Sequence, residues 1–389
     1  MNIKWSGIGV FIIQLATSAF GQSGLNIPTD TRLPRDSVIK NELLTSLNNF
    51  LSQIPKQNKE NSFVLNSDLL ETSVLMDEMK NQETNSALKA ENFFKPYLMN
   101  LIRINDTNYL VQISYIGINE GRILLRASLT LEGCKKDSRF YFSSPLKQNT
   151  IAWKTEKMGN VNLCFKNSFN DTNAKKYFQM VADYDKKLNA PVRPTDFYCA
   201  DNFYEVLQLV GVDYKSDYNG YAHNTLTATE NNYDLEVNGE LTVAFTSFDP
   251  HDLWHERLHR VLSVDIINRP VDEGTAYLYG GSWGLSWNEI LKRFKIYATA
   301  NPHSDWVALY NESKNFDEKS RFPLNVDFAI NALLVQKIEK EKGFSYVIEL
   351  LSCGKKEPGN ENYFNALEKI TGIRKGNFNS NVWELIKGN

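Results

Sequence analysis

Three features of the sequence predict an α+β chain. Residues 36–54 carry apolar side chains at helical spacing, through Val38, Leu43, Leu44, Leu47, Phe50 and Leu51. Residues 93–165 then turn to β-like runs rich in branched and aromatic residues. Beyond Ala174, helical and strand-like stretches follow one another before helical patterns dominate the C-terminal part. The expected division is a signal peptide at 1–21, an N-terminal helical and β-rich domain at 22–165, and a second domain at 166–389.

The start of the chain has the form of an export signal. Lys4 precedes an apolar run from Ile8 to Ala16, and Ala19-Phe20-Gly21 supplies small residues for a signal peptidase. The run is too short for a permanent membrane anchor, and no later stretch approaches the roughly 18 apolar residues that a spanning helix needs. An exported chain without a stable membrane span, periplasmic or extracellular, is expected. A formal charge of -3 and a pI near 6.1 lack the basic footprint of a nucleic-acid binder.

Residues 22–35 read as a polar, proline-containing leader, and a second helix is expected at 69–79. Within the β unit, the strands are expected at 109–115, 122–131, 140–142 and 150–153. The four cysteines, Cys134, Cys164, Cys199 and Cys353, allow three pairings, of which Cys134–Cys164 is the local one. A helix is expected at 174–188, a strand at 195–199, a helix at 202–210 and a strand at 239–245. Ser247 or Asp249 then caps a new helix, with Pro250 at its first position, where the missing N–H costs nothing.

That helix carries the chemistry. The chain has five histidines, and three of them, His251, His255 and His259, fall within nine residues. His255-Glu256-Arg257-Leu258-His259 is an HExxH motif. On a helix, residues four apart share a face, so two imidazoles can converge on one zinc ion, with the intervening Glu placed to take a proton from water. A catalytic zinc site needs a third protein ligand, and Glu273, near the start of a second helix after Asn268-Arg269-Pro270, supplies one. Gly274 and Ala276 are small enough to let that helix approach the first. The expected set is zinc at His255, His259 and Glu273, with Glu256 as general base.

The HExxH followed by Glu273-Gly274-Thr275-Ala276 resembles the gluzincin metallopeptidases, in particular the bacterial peptidase-MA-like proteins. The likeness runs from about Ala174 to the C-terminus. It takes in the expected strand before the zinc helix and the segments at 328–334, 341–344, 350–351 and 364–372, which look like that family's closing helices. The resemblance implies a thermolysin-like gluzincin domain over 166–389. It also implies a peptide or protein substrate, zinc as cofactor, and hydrolysis by activated water.

Two registers remain open. Thirteen residues separate His259 from Glu273, a short gap for a gluzincin. The overlapping His251-Asp252-Leu253-Trp254-His255 leaves seventeen and puts Asp252, a shorter carboxylate, where the base belongs. In that register the alternative is a gluzincin-shaped binding or envelope-structural protein without turnover. Candidates for stabilising the oxyanion are Tyr277, Tyr279, Tyr310 and His303. A metzincin reading would use Asp265, six residues after His259, but Leu262 stands where that class needs a turning glycine. The run Gly280-Gly281-Ser282-Trp283-Gly284-Leu285-Ser286-Trp287 reads as a turn packed on core tryptophans.

Overall fold

The structure, a computed structural model, describes residues 24–218, 225–239, 241 and 248–389. The expected signal segment, most of the expected strand at 239–245, and Ser247 lie outside the described residues. The elements in chain order are α1 (Ser37–Ser52), α2 (Leu69–Met79), β1 (Lys95–Arg103), β2 (Asn108–Asn119), β3 (Arg122–Lys136), β4 (Arg139–Ser143), α3 (Leu146–Asn149), β5 (Lys154–Met158), β6 (Val161–Phe165), α4 (Asp171–Leu188), β7 (Thr195–Cys199), α5 (Phe203–Val210), β8 (Val212–Lys215), β9 (Thr225–Glu230) and β10 (Tyr233–Asn238). Eight helices follow: α6 (Pro250–Val261), α7 (Arg269–Tyr279), α8 (Trp287–Ala300), α9 (Trp306–Asn311), α10 (Val326–Lys342), α11 (Phe344–Leu351), α12 (Glu361–Thr371) and α13 (Phe378–Gly388). The chain is α+β, and no described helix is long and apolar enough to cross a membrane.

The chain forms two compact units. The first comprises the chain up to Lys154 with Thr195–Tyr198 and Asn202–Asn238; the second comprises Thr155–Pro194, Cys199–Asp201 and Gly239–Asn389. A boundary at 165/166 is therefore replaced by a discontinuous one. The reason is pairing: β8 joins the N-terminal sheet through Ala127↔Lys215 and Ser128↔Tyr214, which carries residues 202–238 with it.

In the first unit, β1-β2-β3-β4 form an antiparallel sheet with β8 also on β3. The β2–β3 hairpin turns at Glu120 (φ 50°) and Gly121 (φ 75°), the left-handed pair that matches strand twist. Helix α1 starts at Asp36, whose carboxylate accepts from the Val38 and Ile39 amides, and buries Leu43, Leu47 and Phe50 completely. Each such side chain contributes about 1.5–3 kcal/mol of burial. Residues 150–153 form no strand. They follow the short α3, and the Thr150 hydroxyl donates back to the Leu146 carbonyl in a helical end. Cys134 is a free thiol, so the Cys134–Cys164 pair is not formed.

The second unit is mainly helical, and the segments expected to be closing helices fall on α10, α11 and α12. Helix α10 is buried nearly all round, from Val326 to Ile338, and so forms the axis of this unit. Gly274 of α7 lies against it. A Cβ there would fall 2.5 Å from the Asn331 Cβ and 2.9 Å from the Ala332 amide nitrogen. The small residue therefore serves the approach of α7 to α10, and not, as its place beside Glu273 suggests, the approach to α6.

Candidate metal centre

Helix α6 begins as expected. Asp249 caps it by accepting from the His251 amide at 2.9 Å, and Pro250 is its first residue. Its rotation is set by the core. Trp254 and Leu258 are fully buried; Trp254 lies edge-on to Tyr184 of α4 at 5.1 Å and donates from Nε1 to Thr275 Oγ1 of α7 at 2.7 Å. Arg257 forms a two-point ion pair with Asp185 of α4, at 2.8 and 2.7 Å. With about 100° per residue, this buried stripe leaves His251, His255 and His259 along the neighbouring face, toward α7.

Helix α7 is pinned at both ends. The Asn268 amide donates to the Leu351 carbonyl at 2.8 Å, and the Asn268 side chain donates to the Gly354 carbonyl at 3.0 Å. At its other end the Tyr184 hydroxyl donates to the Tyr279 carbonyl at 3.1 Å, with the Pro250 carbonyl of α6 at 3.3 Å. Asp272 and Glu273 sit one turn inside α7 and face α6.

The geometry separates the two registers. His251 Nε2 lies 3.2 Å from His255 Nε2, 3.5 Å from Glu273 Oε2, and His255 Nε2 lies 3.8 Å from the same oxygen. Four donors at about 2.0–2.2 Å from a tetrahedral zinc stand about 3.3–3.6 Å from one another; the three separations here lie close to that range, so the group could hold a metal ion. Of the residues expected as ligands, His255 and Glu273 are brought together. His259 is not in their group: among the described residues it clusters with His255 and Asp272, while Glu273 clusters with His251 and His255. Glu256 points along the helix to Arg260, 2.6 Å away, with Arg257 at 3.9 Å. Asp252, one turn earlier on the same stripe, stands to His251 and His255 as Glu256 stands to His255 and His259.

Each converging imidazole has a partner on its other nitrogen. His255 Nδ1 meets Asp272 Oδ1 at 2.8 Å, and His251 Nδ1 meets the Gly281 carbonyl at 2.7 Å. Such partners fix ring orientation in metal sites. The electrostatics follow. Burial opposes charge on His255, but hydrogen bonds to Asp272 and Glu273 outweigh it and raise the imidazole to about 10. Burial likewise opposes ionisation of Glu273, and the hydrogen bonds of His251 and His255 outweigh it, holding its carboxyl below the usual range. The Asp252 carboxyl is raised, first by desolvation and then by Asp249, with His251 and His255 pulling the other way. A cavity of about 310 Å³ opens beside the cluster, lined by His255, His259, Val264, Ile267, Arg269, Asp272 and Glu273.

Sequence reasoning missed Asp272 and the Gly281 carbonyl. Two adjacent carboxylates opposite three histidines at spacing four was the available signal for the first; nothing in the sequence marks a backbone oxygen. The Gly-rich run is a tight turn, with Gly280 ending α7, but Trp283 is not core: it is about half exposed and stacks on Phe322 at 4.7 Å. Among the oxyanion candidates, Tyr277 lies nearest, its ring 6.1 Å from that of His251, and is buried. The Tyr279 hydroxyl donates to Glu339, Tyr310 is packed on Tyr363, and His303 is on the surface. Asp265 pairs with Lys355 on the surface, which removes the metzincin arrangement.

A Cβ on Gly280 would lie 2.6 Å from both the His251 amide nitrogen and the Pro250 carbonyl oxygen. Gly280→Ala therefore pushes the first turn of α6 away at a cost of about 1–3 kcal/mol. The thermal unfolding midpoint of that variant is expected to fall by about 2–10 °C; an unchanged midpoint would mean that α6 yields without strain.

No family model matches the chain, and no curated protein matches its sequence.

Proposed function

We propose that this chain is an exported zinc-dependent peptidase of gluzincin type, holding zinc through His251, His255 and Glu273, with Asp252 as general base. The observation that supports it best is the convergence of two Nε2 atoms and one carboxylate oxygen at 3.2–3.8 Å, with both imidazoles tethered from behind. Two imidazoles and one carboxylate suit zinc, and three protein ligands leave a position open, as catalytic sites do. Zinc bound there supplies a Lewis acid that polarises a carbonyl and acidifies water.

The chain's own residues do the rest. The Asp252 carboxylate takes a proton from the attacking water and returns it to the leaving amine. Val264 and Ile267 give the adjoining cavity an apolar wall for a substrate side chain, and Arg269 stands at its edge. One observation favours a second reading, metal binding without turnover: aspartate is one methylene shorter than the glutamate usual at this position.

The test is elemental analysis of purified protein together with hydrolysis of a mixed fluorogenic peptide library. One zinc per chain, hydrolysis abolished by chelation and restored by zinc, and loss of about 100-fold or more in kcat for Asp252→Asn are expected. One zinc without hydrolysis would leave the second reading; no zinc after zinc-replete purification would overturn both. Material recovered from the export route is expected to begin at Gln22.

A further inference from the structure

We propose that His259 is a positioning residue, which with Asp272 locks the ring of the metal ligand His255 and does not itself hold the ion. The inference rests on the zinc reading of His251, His255 and Glu273. His259 closes the HExxH, so its spacing marks it as a ligand; its contacts give it other work. His259 Nε2 meets Asp272 Oδ2 at 3.0 Å, while Asp272 Oδ1 meets His255 Nδ1 at 2.8 Å. Both oxygens of one carboxylate are engaged by two imidazoles from the same face of α6, and Asp272 is only 6% exposed.

The consequence is geometric. A carboxylate held at one oxygen can swing about its last bond; held at both, it cannot. Asp272 therefore presents Oδ1 to His255 in one orientation, and His255 keeps Nε2 aimed at His251 Nε2 and Glu273 Oε2. The His251 ring needs no such dyad, because its Nδ1 is held by the Gly281 carbonyl. The separations also favour hydrogen bonds over a second metal. At 2.8 and 3.0 Å they are ordinary hydrogen-bond lengths, shorter than the 3.2–3.8 Å edges of the ligand group. His259 also forms part of the cavity wall, so loss of its ring leaves room beside the site and does not perforate the core.

Cobalt(II) in place of zinc tests this, because its visible spectrum reports the ligand set independently of turnover. The wild-type chain is expected to bind one cobalt. His259→Ala is expected to keep the wild-type band pattern while binding about 10- to 100-fold more weakly, the effect of losing an outer partner of a metal ligand. His259→Gln, whose amide N–H can still donate to Asp272, is expected to recover most of that loss, which a merely space-filling residue would not explain. A changed band pattern in His259→Ala, with circular dichroism unaltered, would make His259 a ligand and overturn the proposal. Two equivalents of cobalt in the wild type would overturn it by placing a second ion between His255, His259 and Asp272. The underlying zinc reading fails separately, if the wild type binds no cobalt or if His251→Ala leaves the spectrum unchanged.

Discussion

His251→Ala is expected to lose zinc at concentrations that saturate the wild type, while Glu256→Gln keeps both the metal and the hydrolysis. The two substitutions decide the register. If the four positions of a structural zinc site share about 10–16 kcal/mol, one ligand is worth about 2.5–4 kcal/mol, about 70- to 900-fold in affinity. His251 supplies one of the three donor atoms at 3.2–3.8 Å, so its removal takes that whole contribution. Glu256 pairs with Arg260 and Arg257, and its conversion to Gln preserves shape while weakening these ion pairs on a partly exposed face, where such pairs are worth about 0–1 kcal/mol. Isothermal titration with zinc, beside peptide hydrolysis by each variant, makes the comparison. Loss of hydrolysis in Glu256→Gln with zinc retained, and zinc retained in His251→Ala, would return the site to His255 and His259.

Gly274→Val is expected to destabilise the second unit by about 3 kcal/mol, the upper range for forcing extra methyl groups into a packed interface. The atoms in the way are the root and backbone of α10: Asn331 Cβ at 2.5 Å, Ala332 N at 2.9 Å and Asn331 C at 3.0 Å. None can rotate aside, so α7 and α10 must separate. Asn331 is also fully buried, donating to the Tyr310 hydroxyl and accepting from the Tyr363 hydroxyl, both at 2.9 Å, so a shift there disturbs buried hydrogen bonds. Replacing glycine inside a helix gains only a few tenths of a kcal/mol in backbone propensity, which does not offset the clash. Thermal unfolding of metal-free protein is expected to move down by about 5–10 °C. Gly376→Ala, where a Cβ meets nothing within 4 Å, is the control and is expected to be neutral. An unchanged midpoint for Gly274→Val would show that the helices do not pack as closely as described.

Local patterns were legible in the sequence because local forces produce them. Apolar spacing marked α1 and α2, the Asp249–Pro250 pair marked the start of α6, and the histidine spacing placed the candidate site on that helix before any fold was known. The adjoining carboxylate of Glu273 was legible for the same reason, since it opens a helix with its own proline. What the sequence misjudged is what depends on neighbours distant along the chain. Residues 150–153 have strand composition but end a short helix, because propensity yields to the packing around them. Trp283 sits in the Gly-rich turn and is exposed, whereas Trp287, four residues on, opens α8 and is buried.

The sequence by itself determined that three histidines lie along one face of a helix and that one candidate carboxylate, Glu273, follows on the next. Only the tertiary structure decided which two imidazoles meet Glu273. A helix repeats every four residues nearly as well at 251/255 as at 255/259, so spacing cannot choose between them. The choice is made by where α7 crosses α6, and that crossing is set by Trp254 against Thr275, by Tyr184 bridging the two helices, and by Gly274 against α10. These contacts join residues twenty to nearly a hundred positions apart, and they place His251 and His255 opposite Glu273 while leaving His259 to Asp272.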